Sequence, residues 1–119
     1  MEQLVRAGLL FDFYGGLLTE KQRKTMELYF LEDWSLAEIA AETDVTRQAV
    51  YDLLHRSERL MEEYEAKLGL MQRFVKQQEE LRVTSQKLAA LLKDNKASEP
   101  LVRELSGIKN TIDQLLENE

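Results

Sequence analysis

Arg47, Gln48, Tyr51, Asp52, His55 and Arg56 recur at spacings of one and three residues, so on a helix they share one polar face. The chemistry of such a set is recognition of nucleic acid. An arginine such as Arg47 pairs with the two acceptors of guanine, and a glutamine such as Gln48 with the donor and acceptor of adenine. Tyr51 and Asp52 would face the groove floor, with His55 and Arg56 near its wall. Lys21, Lys24 and the backbone amides at Ser35 would hold phosphates. The plainer reading of the same residues is a solvated helix face. Asp52 and His55 also stand three apart, as a carboxylate and a base it orients would. No nucleophile or glycine-rich phosphate loop accompanies them, so the pair reads as a surface hydrogen bond and no enzyme is expected. The chain has no cysteine and one histidine, which excludes disulfides and thiolate metal sites and makes a histidine-based site implausible. No cofactor and no metal are expected.

Such residues need a helix held against a groove, and the segment Ser35–Arg56 has that form. Ser35 and Glu38 make a capping box. Leu36, Ile39 and Ala40 follow at helical spacing and point to a common core, Ala40 being small where two helices cross. Thr43-Asp44-Val45 is a turn. Thr46 caps a second helix whose Val50, Leu53 and Leu54 face inward. Two helices and a tight turn make a helix-turn-helix, whose second helix is sized for a DNA major groove.

The remaining segments extend this unit. Leu4–Tyr14 is apolar and reads as a short buried helix with Leu4, Phe11 and Tyr14 on one stripe, ended by Gly15-Gly16 in left-handed geometry. Its aromatics read as core packing. Thr19 and Gln22 form a second capping box for a helix reaching about Leu31, with Met26, Tyr29 and Phe30 inside. Trp34 precedes the Ser35 cap, placed to staple against Ile39 or to anchor a partner, the staple being preferred. No breaker occurs between Thr46 and Gly69, so the second motif helix is expected to run from Arg47 to Leu68. Residues 70–92 carry a seam of Met71, Phe74, Gln78, Leu81, Ser85, Leu88 and Leu92, alternating three and four apart. Lys93–Pro100 is a turn, and Ser98 is placed to cap a last helix with Leu101, Leu105, Ile108, Ile112 and Leu115 along one side. The expected organisation is a helix-turn-helix domain over 1–69 and a C-terminal helical hairpin over 70–119. The hairpin's two narrow seams bury little alone, so self-association through residues 70–119, most simply as a dimer, is expected. The fold class is all-α.

Charge runs against simple DNA binding. The chain carries −6, and residues 1–69, with eight Lys/Arg and fourteen Asp/Glu, hold the whole excess. Phosphate neutralisation supplies much of DNA affinity, so binding is expected to be weak and local. No apolar run approaches a membrane span and the N-terminus carries no leader pattern, so no membrane insertion and a cytoplasmic location are expected.

Leu18, Thr19, Arg23, Leu28 and Phe30, followed by Ser35, Glu38, Ile39, Ala40, Thr46 and Val50, resemble region four of the bacterial sigma factors. Asp44 stands where that family usually has glycine, a substitution aspartate tolerates. Nothing like region two precedes it, so a complete sigma factor is not expected, nor are winged elements. A closer resemblance spans nearly the full length. The apolar first helix, the stretch Thr46–Asp52, and Arg56, Leu60, Tyr64 and Glu65 leading into Lys67–Leu70 are similar to the YlxM family. Members are small cytoplasmic helix-turn-helix proteins of Gram-positive bacteria, encoded beside signal recognition particle genes. The resemblance implies DNA binding and regulation, with signal recognition particle components as further partners. The alternative is a protein-interaction module of that pathway that keeps the helix-turn-helix as scaffold.

Overall fold

Three side-chain oxygens start three of the helices. Thr19 Oγ1 accepts from the Gln22 amide at 3.1 Å while Gln22 Oε1 accepts from the Thr19 amide at 3.0 Å. Ser35 and Glu38 repeat this box at 3.1 and 3.0 Å. Thr46 Oγ1 accepts from the Ala49 amide at 3.0 Å. Each cap satisfies orphan amides and contributes about 1 kcal/mol. The computed structural model describes residues 2–94 and 98–117. Among them the chain is helical without strands: α1 (Gln3–Tyr14), α2 (Glu20–Met26), α3 (Leu36–Thr43), α4 (Arg47–Leu68), α5 (Leu70–Leu92) and α6 (Glu99–Glu117). It divides into two compact units, Met1–Met71 and Gln72–Glu119.

The first unit closes around Tyr14, Met26, Ile39, Val50 and Met61, each at most 2% exposed. Ser57 is buried among them, and its hydroxyl donates to the Leu53 carbonyl at 2.8 Å, so it leaves no donor unpaired. α4 runs unbroken from Arg47 to Leu68, as its lack of breakers predicts, and Gly69 ends it at φ 64°. A buried clasp sits at that end. Tyr14 Oη donates to Glu65 Oε1 at 2.6 Å, the same carboxylate oxygen accepts from the Met71 amide at 2.9 Å, and Tyr14 Oη accepts from the Leu70 amide at 3.2 Å. Burial pushes the Tyr14 hydroxyl's pKa up and the bond to Glu65 pushes it further, so it remains a donor. Arg6 grips Glu62 through both carboxylate oxygens at 2.8 and 3.0 Å, an exposed pair tying α1 to α4.

Several details differ from the sequence expectations. The buried stripe of α1 is Ala7, Leu10 and Tyr14, while Leu4, in the first turn and off that stripe, is 66% exposed. Gly15 is right-handed, at φ −56°, and opens a 3₁₀ turn over Gly15–Leu17. Glycine is needed there for space: a Cβ would lie 2.9 Å from the Phe11 ring. The helix from Glu20 does reach Leu31, but its last turn, Glu27–Leu31, is π-helical, with the Glu32 amide donating to the Glu27 carbonyl at 3.1 Å. Thr25 joins Met26 inside at the end of α2, and the wider turn that follows rotates the later side chains, with Tyr29 exposed.

In the second unit, α5 buries Gln78, Ser85 and Leu88, with Leu81 and Leu92 half-buried, along the expected seam. Ser85 donates to Asp113 of α6 at 2.7 Å, and Lys109 donates to the other oxygen of that carboxylate at 2.7 Å. The side of α6 differs from expectation. Val102, Leu105, Ile112 and Leu116 are half-buried, while Leu101, Ile108 and Leu115 are about half exposed at 49–50%. Residues 95–97 of the expected turn lie outside the described residues.

Candidate nucleic-acid interface

The turn between α3 and α4 depends on Asp44, which takes φ 56° and ψ 45°. That left-handed conformation lets the Asp44 amide reach the Ala40 carbonyl, and the Val45 amide reaches the same carbonyl at 3.1 Å. Ile39 and Ala40 on α3 and Val50 and Leu54 on α4 are all buried, which fixes the crossing and turns the opposite side of α4 to solvent. On that side Arg47, Gln48, Tyr51, Asp52, His55 and Arg56 are all exposed.

The structure brings only some of the predicted residues together. A concavity of about 630 Å³ is lined by Ser35, Leu36 and Ala37 at the start of α3 and by Arg47, Gln48 and Tyr51 of α4. Asp52, His55 and Arg56 continue along α4 beyond it, and Lys21 and Lys24 are exposed on α2. Among the described residues Lys21, Lys24, Arg47 and Arg56 make no ion pair. Thr46 contributes its hydroxyl to the cap and so acts by positioning the helix.

Three local contacts change the chemistry expected of this face. The Ser35 amide donates to Glu38, whose pKa that bond and the Ser35 hydroxyl lower, so an ionised carboxylate already occupies the amide assigned to phosphate. The amides left at the start of α3 are those of Leu36 and Ala37, which sequence reasoning passed over because their side chains are apolar. Gln48 Nε2 donates to Asp52 Oδ1 at 3.0 Å, so paired recognition of adenine requires Gln48 to leave Asp52. The Asp52–His55 pair does not form. His55 instead donates from Nδ1 to the Tyr51 carbonyl at 3.0 Å and lies over the Tyr51 ring, centroids 3.9 Å apart. That arrangement leaves no base–carboxylate dyad on this face.

A family described as "Putative helix-turn-helix protein, YlxM / p13 like" matches residues 1–105, taking in the whole first unit and α6 as far as Leu105. The chain belongs to the UPF0122 family. It is 52% identical over 101 residues to the UPF0122 protein of Halalkalibacterium halodurans, covering 77% of this chain and 93% of that relative. UPF0122 proteins of Bacillus cereus strain AH187 and Bacillus anthracis strain A0248 are 56% identical over 78 residues, covering 66% of this chain and 71% of each relative. The UPF0122 match carries the helix-turn-helix with it, in agreement with the α3–α4 geometry. Among the described residues no helix of this UPF0122 chain is long and apolar enough to cross a membrane.

Proposed function

We propose that this UPF0122 chain is a DNA-binding regulator that sets the start of α4 into a major groove. The observation that carries the reading is the concavity shared by the α3 N-terminus and Arg47, Gln48 and Tyr51, with Arg47 in it and Arg56 further along α4 both without an ion pair among the described residues. Arg47 reads a base and Arg56 meets the backbone. Residues 1–69 supply the DNA-reading domain. Residues 70–119 supply a dimer contact, supported by the half-exposed Leu101, Ile108 and Leu115 at seven-residue spacing. Two such domains would then meet two half-sites.

The test is fluorescence anisotropy with duplex DNA across a salt series. Binding should weaken steeply with salt. Arg47→Ala should cost about 1–3 kcal/mol at one base position, while Arg56→Ala should weaken all sequences alike. Absence of binding at low salt would leave the second reading, a protein-interaction module tied to the signal recognition particle pathway. That reading is favoured by the −6 charge concentrated in residues 1–69.

A further inference from the structure

A second concavity in the first unit shares no lining residue with the one at the α3–α4 face. It is a groove of about 490 Å³ between α1 and the π-helical turn, with Phe11, Phe30 and Trp34 lining it. At its edges Leu4 and Leu31 are 66% and 65% exposed. Isolated exposed leucines are ordinary, but these two border one groove with three partly covered aromatics.

The backbone beneath the groove is irregular in two ways. The π turn Glu27–Leu31 carries Tyr29, Phe30 and Leu31, and Asp33 follows in a left-handed conformation at φ 57°. Both features cost free energy relative to a regular helix end, and π turns recur at functional sites. Here they carry Tyr29, Phe30 and Leu31 at the groove, with Tyr29 37% and Leu31 65% exposed.

Charge identifies the occupant. Asp12 and Asp33 line the groove, and no cation does. A second copy of the same domain would bring another acidic surface, and nucleic acid or an anionic membrane would meet the same repulsion. We infer that this groove docks a cationic amphipathic helix of a partner protein. Apolar side chains at helical spacing would enter between Leu4 and Leu31, and lysines or arginines flanking them would meet Asp12 and Asp33. The inference is independent of DNA binding, because none of these residues belongs to the α4 face.

Trp34 is the only tryptophan in the chain, so its emission reports the groove directly. The probe is a Leu/Lys peptide of about four helical turns, patterned to put all its leucines on one face and titrated into the full chain. A saturable blue shift of Trp34 emission is expected. Leu31→Lys should weaken it at least about tenfold. Asp33→Asn should weaken it several-fold and flatten its salt dependence, since asparagine also tolerates the left-handed backbone. A Leu/Glu counterpart, and a Leu/Lys peptide shuffled to remove the apolar face, should give no shift at the same concentrations. Circular dichroism checks each variant's fold. Should Leu31→Lys lose helicity, Leu4→Ser at the opposite edge carries the same expectation. No emission change with the Leu/Lys peptide overturns the proposal. So does equal binding by the shuffled peptide, or by the edge and Asp33→Asn variants.

Discussion

The two units of this chain solve the burial problem to different degrees. The first encloses six apolar side chains at 2% exposure or less, Leu10 among them, and adds a hydroxyl–carboxylate clasp. In the second, no described residue of α6 is fully buried, and of the three buried residues that α5 contributes from Gln72 onward two are the polar Gln78 and Ser85. Gln78 Oε1 is buried without a hydrogen-bond partner among the described residues. Five helical segments wrapped around a centre can shield one another, whereas two helices share a single seam and leave their flanks wet. Composition adds to this: apolar residues are 35 of 71 in the first unit and 17 of 48 in the second, so apolar content differs in amount as well as in consequence. In the first it makes a core, and in the second it makes a surface.

Removing one side chain from each unit tests the contrast most strongly. Met61→Ala should destabilise the chain by about 2–5 kcal/mol, through lost burial and a cavity that the tight surroundings cannot fill. Leu105→Ala, at a half-buried site, should cost only about 1 kcal/mol. Urea unfolding of both variants measures the gap, and equal losses would mean that the hairpin is packed as firmly as the first unit. Tyr14→Phe comes next. It keeps the ring but takes a donor from the buried Glu65, which should cost about 1–3 kcal/mol in the same experiment.

Ile108→Lys probes the exposed side of the second unit. At 50% exposure it should change stability by no more than about 0.5 kcal/mol in a monomer. If the exposed stripe of α6 is a contact between copies, the same substitution should shift light scattering from dimer to monomer. A wild type that is monomeric at tens of micromolar removes the dimer. The smallest effect is expected in acid, and it touches both units. The Glu38 carboxyl is held below its ordinary value of 4.5 by the Ser35 amide and hydroxyl. Asp113 is held below 3.8 by Lys109 and then Ser85. A carboxyl that titrates lower when folded stabilises fully above its unfolded value, and that contribution fades as pH falls through the lower folded one. Glu38→Gln should therefore flatten the acid limb of thermal stability slightly, since the glutamine still closes the box but does not titrate.

The parts of the fold written in local chemistry were legible in the sequence. Thr19 with Gln22, Ser35 with Glu38, and Thr46 each name a helix start because the bonding partners lie three residues apart. Likewise, a run without glycine or proline sets the length of α4. What escaped depends on neighbours distant in sequence or on small changes of turn. Whether Leu4 or Ala7 is the buried residue depends on how closely α1 approaches α4, and periodicity offers both. The π turn has no marker in its residue types, yet it turned Tyr29 from core to surface. On the candidate interface, the residue types were readable but their mutual hydrogen bonds were not. Gln48 engages Asp52, and His55 turns back to Tyr51, because side chains four apart on one helix find each other before any ligand arrives.

The clasp at the end of α4 has a kinetic meaning. Its bonds join Tyr14 to Glu65 and to Leu70, which are 51 and 56 residues away along the chain. The capped helix starts need only their own first turns, whereas the clasp must wait for most of the first unit to be assembled, with the entropy of that loop already lost. Interactions that mature after the folding barrier act mainly on the rate of escape from the native state. Removing the Tyr14 hydroxyl should therefore speed unfolding more than it slows folding, which stopped-flow measurements of Tyr14→Phe would check.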